Sequence, residues 1–215
     1  MSHAFRRRSP RRGDGLRPVR VIVVVRTGST RTTPSSRRQA ERRSRQDVRM
    51  LTVRRGRPGD ELAMAGVHVR AWQVAYRGIV PDDVLDAMDV EDRAARYDDD
   101  IFTRDDRPFW LADRDGIVVG FCGVGTSRDV DGEGELYSIY VDPGEWGSGA
   151  GTMLMDEALS FLRPRYDTAT LWVLRDNPRA RRFYEKHGWF FDGTEKADER
   201  PSFVLHEVRY RITLA

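Results

Sequence analysis

The 215 residues carry a formal charge of +3 at neutral pH, 39% hydrophobic side chains and one cysteine, Cys122. That length suits one domain with an extension, and a single cysteine excludes an intramolecular disulfide framework. The longest aliphatic run, residues 21–25, is too short for a bilayer span or the apolar centre of a secretory signal, so the sequence reads as soluble and cytoplasmic.

The charge is unevenly spread. Residues 1–50 hold 15 arginines, no lysine and three acids, a net of +12, which leaves −9 for the remainder. Residues 1–48 mix Arg, Ser, Thr, Pro and Gly without a sustained period, and such a composition is expected to stay disordered because it buries too little apolar surface to offset ordering entropy. The expected organisation is an Arg-rich extension over 1–49 and a folded domain over 50–215. A basic arm for nucleic acid is one reading of the extension, but Phe5 is its sole aromatic, which argues against a nucleic-acid partner. A transit peptide is a second, and translation starting at Met50 is a third. Met50 directly precedes the first strand pattern, which favours the third.

Leu51-Thr52-Val53-Arg54 alternates apolar and polar residues and predicts a first strand. Gly59-Asp60 opens a helix whose stripe is Met64, Val67, His68, Ala71, Trp72 and Ala75, steps of three and four that face a core. A second helical region is expected over 82–102. Phe109–Ala112 and Ile117–Cys122 flank Asp113-Arg114-Asp115-Gly116, a hairpin signal. Glu135–Val141 is a further strand, followed by a glycine-rich turn and a helix over roughly 149–163. Thr168–Leu174 is the next strand. Asn177-Pro178 is a strong helix start, a capping side chain before proline at the first helical position, and Gly188 closes that helix. Strands near 189–193 and 202–213 complete the order β-α-α-β-β-β-α-β-α-β-β. The fold class is α/β, a mixed sheet with helices on both faces.

The chemistry sits in Trp146-Gly147-Ser148-Gly149-Ala150-Gly151, where a strand runs through alternating glycines into a helix. Free N–H groups at a helix start, aided by the helix dipole, cradle phosphate, and glycines admit the backbone close to a pyrophosphate. A plain tight turn uses the same residues. The spacing does not fit G-x-G-x-x-G, since Leu154 stands where a last small residue belongs, and no lysine precedes position 186 to complete a Walker loop.

With the second segment, Leu171-Trp172-Val173, Asn177, Ala180, Phe183-Tyr184-Glu185-Lys186 and Gly188-Trp189, the chain resembles the GNAT superfamily of N-acetyltransferases over roughly 51–213. Its acetyl-CoA signature, Gln/Arg-x-x-Gly-x-Gly/Ala, aligns with Trp146–Gly151, with tryptophan at the Gln/Arg position. The resemblance implies a GNAT-like, mostly antiparallel sheet, acetyl-CoA as co-substrate, an amine acceptor on a small molecule or protein, and direct attack in a ternary complex. It is compatible with a homodimer. A non-catalytic acetyl-CoA-binding sensor or partner module is the alternative. Backbone groups of Ile139, Tyr140 and Val141 are expected along the pantetheine arm, and Trp146, Gly147, Ser148, Gly149, Ala150, Gly151 and Thr152 around the pyrophosphate. Asn177 matches a CoA-contacting position and is also a helix cap. A bulge in the 135–141 strand is implied as well, which period alone cannot reveal.

Tyr184 matches the family tyrosine that protonates the departing thiolate; packing on the sheet is its structural alternative. Glu135 is the candidate base, directly or through water, because freeing a lysine-like amine at pH 7 costs about 5 kcal/mol. A solvated strand-edge glutamate is the alternative. Cys122 reads as a small buried residue rather than a nucleophile, and His3, His68, His187 and His206 have no metal-ligand spacing, so no metal is implied. Between Asp82 and Asp106 stand 11 acids against Arg93, Arg96 and Arg104. As a wall of the acceptor cleft they would attract a cationic amine; as a solvated segment they would not.

Overall fold

A computed structural model of the protein describes residues 50–98 and 100–214; the expectation of disorder over 1–48 lies outside these residues. The elements are β1 (Leu51–Arg55), α1 (Glu61–Ala75), α2 (Asp82–Asp86), α3 (Val90–Ala94), β2 (Phe109–Arg114), β3 (Ile117–Thr126), β4 (Gly134–Val141), α4 (Ala150–Leu162), β5 (Thr168–Leu174), α5 (Pro178–Lys186), β6 (Phe190–Glu199) and β7 (Val204–Thr213). They form one seven-stranded sheet in the order β1-β2-β3-β4-β5-β7-β6. All pairs are antiparallel except β4 with β5. The mixed, mostly antiparallel α/β sheet anticipated from the sequence is present.

Local chemistry explains the elements that match. Asp115 and Gly116, at φ 53° and 86°, make the turn between β2 and β3, the left-handed pair that suits strand twist. Asn177 caps α5 by accepting from the Ala180 N–H at 3.0 Å, Pro178 follows it, and Gly188 at φ 86° stands just past the helix end. The helix expected over 82–102 is instead two single-turn pieces. Asp89 restarts the chain as a cap, its carboxylate accepting from the Asp92 N–H at 2.9 Å. β6 runs past the expected residue 193 to Glu199. It is an edge strand with a polar, alternately exposed sequence, so its apolar signal ends before its hydrogen bonds do.

The helices α1 and α4 cover opposite faces, as neighbouring residues of β4 demonstrate. The Tyr140 hydroxyl accepts from Trp72 Nε1 of α1 at 3.2 Å. Val141, one residue on, points at the face where Leu154 of α4 closes on Gly120. Alternating side chains thus reach alternate layers.

Candidate active site

The sheet is interrupted at its centre. β4 and β5 pair through only two positions, Gly134 with Ala169 and Glu135 with Thr170, and no pairing continues beyond them. On its other side β4 follows β3 with one irregularity: Gly123 faces Ser138, but Val124 faces Leu136. Tyr137 is the extra residue, so β4 carries a bulge there, and bulges bend the strand that holds them. The strand therefore leaves β5 and opens a cleft. Asp142 gives its N–H to the Val119 carbonyl at 2.8 Å, and strand alternation turns the peptide groups of Ile139 and Val141 the opposite way, along the cleft edge. Tyr140 lies between them with its side chain on the α1 face.

At the mouth of this cleft the chain turns through Gly147 at φ 89° and Gly149 at φ 96° into α4. A helix leaves its first N–H groups without intrahelical acceptors, which here are those of Ala150, Gly151 and Thr152. The Ser148 hydroxyl approaches the Ala150 N–H at 3.4 Å. Around Gly149 a Cβ would meet nothing within 4 Å, so the cradle is open. Trp146 is held as part of the wall: Nε1 donates to the Val141 carbonyl at 2.9 Å and Arg179 stacks on its ring at 4.0 Å. Asn177 uses Oδ1 for the α5 cap while its buried Nδ2 has no partner among the described residues. These residues fit a pyrophosphate-bearing cofactor with a pantetheine arm.

Tyr184, on α5, is fully buried between Trp189 and Tyr210, and its hydroxyl has no hydrogen-bond partner among the described residues. Burial pushes its pKa well above the tyrosine value, with the Tyr140 hydroxyl adding to the effect. It therefore stays protonated at neutral pH. Glu135 is fully buried, and Arg128 donates to both of its oxygens: Nη2 to Oε1 at 2.7 Å, Nε to Oε2 at 3.2 Å and the backbone N–H to Oε2 at 2.9 Å. Cys122 is buried, its thiol directed at the Leu154 carbonyl at 3.3 Å, and burial raises its pKa. That is a packing role.

A cavity of about 230 Å³ opens on the α1 side of β4, bounded by Ser138, Tyr140, Phe121, Phe109 and His68. The sequence placed His68 on the core stripe. It is indeed buried, stacked on Trp72 at 5.2 Å, yet it also lines the cavity, and its Nδ1 has no partner among the described residues. Burial, then Arg93 and Arg96, depress its pKa well below the usual histidine value, so it is neutral at pH 7. The acidic wall considered for the 82–106 segment does not form. Asp82 and Asp86 pair with Arg77, Asp89 caps α3, and Asp106 pairs with Arg104. Three arginines of the segment, Arg93, Arg96 and Arg104, line the cavity beside Asp98 and Asp100.

The sequence profile of the Acetyltransferase (GNAT) family matches residues 70–189. The chain belongs to that family and is an acyltransferase by membership. It is 32% identical over 133 residues to the uncharacterized N-acetyltransferase YuaI of Bacillus subtilis strain 168, covering 60% of this chain and 75% of that one. It is 36% identical over 140 residues to the mycothiol acetyltransferase of Acidimicrobium ferrooxidans, covering 63% of this chain but 42% of that protein. The PaiA N-acetyltransferase of Thermoplasma acidophilum, solved with coenzyme A, superposes with a TM-score of 0.62 at 19% identity, covering 76% of this chain and 99% of that one. That similarity establishes the fold.

Proposed function

We propose that residues 50–215 form an acetyl-CoA-dependent N-acetyltransferase domain that transfers the acetyl group directly to an amine in a ternary complex. The observation that carries the reading is the parting of β4 from β5. It leaves the strand-edge peptide groups of Ile139 and the N–H of Val141 for an extended pantetheine, with the open Gly147–Gly151 turn at one end for its pyrophosphate. Asn177 Nδ2 supplies a further donor. The acceptor amine enters from the cavity beside Ser138 and Tyr140. It attacks the thioester carbonyl, the C–S bond breaks, and the Tyr184 hydroxyl gives its proton to the leaving sulfur. The solved coenzyme A complex of PaiA supports a cofactor in this fold.

Proton removal from the amine is assigned to His68 rather than to Glu135. His68 is neutral and faces the cavity, whereas the Glu135 carboxylate is taken up by Arg128. A base must be unprotonated to act, so a histidine of depressed pKa keeps its activity down to pH values below about 6.5. The acid limb of the kcat/KM profile should fall in that range and vanish or move in His68→Gln. Glu135→Gln should instead mimic Arg128→Gln, with lower stability and an unmoved acid limb. An acid limb that disappears only in Glu135→Gln would return the base role to that residue.

Direct transfer is tested by initial rates with both substrates varied. Intersecting double-reciprocal lines are expected, and Cys122→Ala should retain them. Parallel lines would point to an acyl-enzyme and contradict the reading.

A further inference from the structure

We infer that the acceptor amine also carries an anionic group, a carboxylate or a phosphate, which Arg93 and Arg96 bind inside the cavity. This rests on the acetyl-transfer reading above and adds the substrate class. Five arginines line the cavity, Arg93, Arg96, Arg104, Arg107 and Arg128, against two acids, Asp98 and Asp100. Three of the five are engaged. Arg128 is held by Glu135 at 2.7 Å, Arg104 by Asp106 at 3.0 Å, and Arg107 lies 3.8 Å from Asp106.

Arg93 and Arg96 have no ion-pair partner among the described residues. Arg93 is half-buried, its guanidinium 4.4 Å over the Tyr97 ring, and its Nε is shielded from solvent without an acceptor. An N–H withdrawn from water and left unpaired is unfavourable, and a bound anion removes that cost. The planar guanidinium fork matches carboxylate and phosphate oxygens two at a time. Arg93 lies in the last turn of α3 and Arg96 in the turn after it, and α3 packs on α1, which carries His68. The anion site and the cavity wall beside β4 thus belong to one small volume. About 230 Å³ accommodates an amino-acid-sized molecule. A diamine would bring a second positive charge to a wall that is already cationic.

The test titrates full-length protein, loaded with CoA, with three N-acetylated probes: N-acetylglycine, N-acetylphosphoethanolamine and the uncharged N-acetylglycinamide. At least one anionic probe should bind about 10-fold or more tightly than the amide. Arg93→Gln and Arg96→Gln should each weaken that probe by about 10- to 100-fold, the loss expected for a charge-assisted hydrogen bond. Acetyl-CoA affinity should not change. Equal binding of charged and uncharged probes, or no effect of either substitution, would overturn the inference. Arg96 is exposed, so its variant remains informative if Arg93→Gln folds poorly. Turnover then separates the two readings. Faster acetylation of putrescine than of amino acids or phosphoethanolamine overturns the anionic acceptor and leaves acetyl transfer standing. Anion binding without turnover of any amine overturns acetyl transfer and leaves the anion site standing.

Discussion

Replacing Tyr184 with phenylalanine should lower turnover by about 10²–10⁴-fold, the usual worth of a positioned proton donor, with the fold and acetyl-CoA affinity preserved. The ring is packed against Trp189 and Tyr210 at centroid distances of 6.5 and 6.3 Å, and phenylalanine keeps those contacts. Only the hydroxyl is lost, and it is a buried group without a partner among the described residues. Deleting an unpaired buried hydroxyl releases a desolvation penalty of about 1–3 kcal/mol, so the variant should melt no lower than the parent protein. A stability gain combined with an activity loss is the mark of a group kept for chemistry. Rapid-quench measurement of the chemical step decides the matter. A Phe variant with the parent rate of that step would show that the hydroxyl only fills space.

Gly149→Val should abolish measurable acetyl-CoA binding. The new side chain meets no protein atom within 4 Å of its Cβ, so in the free protein it projects into the space assigned to the pyrophosphate. Valine at φ 96° is strained by roughly 1–2 kcal/mol, which lowers the melting temperature of a chain this size by about 2–8 °C. Gly132→Val supplies the control, since Gly132 has φ 77° and equally open surroundings but lies in the β3–β4 connection. It should show similar strain and unchanged binding. Calorimetric titration of both variants checks this, and retained affinity in Gly149→Val would move the cofactor elsewhere.

Features of the fold set by neighbours in sequence were legible before the structure. The β2–β3 turn needed only Asp115-Gly116, and α5 only Asn177-Pro178 and Gly188. The bulge in β4 is implied by the family resemblance and not by the strand's own period, because an extra Tyr137 leaves Leu136, Ile139, Tyr140 and Val141 as apolar as an unbroken strand would be. The β4–β5 parting has the same character: it is a property of two segments, and neither one alone encodes it. Within the candidate site, motif spacing singles out the glycine turn and Tyr184, whose roles stand as proposals. His68 was absorbed into a core stripe because the cavity lies within the core, where one α1 face serves both packing and lining. Counting charges over 82–106 leaves the polarity of the cavity open between an acidic wall and a solvated segment. Asp82, Asp86, Asp105 and Asp106 pair with arginines, Asp89 caps a helix, and Arg93, Arg96 and Arg104 line the cavity against Asp98 and Asp100. The sequence leaves Glu135 between an active-site base and a solvated strand-edge glutamate; its burial against Arg128 is not legible because Arg128 lies in a loop with no motif to announce it.

Acetyl transfer from acetyl-CoA to an amine is tested most directly by amine-dependent release of CoA thiol, with mass spectrometry of the product. The panel should hold amino acids, aminoalkyl phosphates, diamines, aminosugars and peptide N-termini. The expected result is thiol release that requires one class of amine and is matched by an equal yield of its N-acetyl derivative. Tight acetyl-CoA binding with no amine-dependent release from any member of the panel would contradict the account and identify the domain as a sensor.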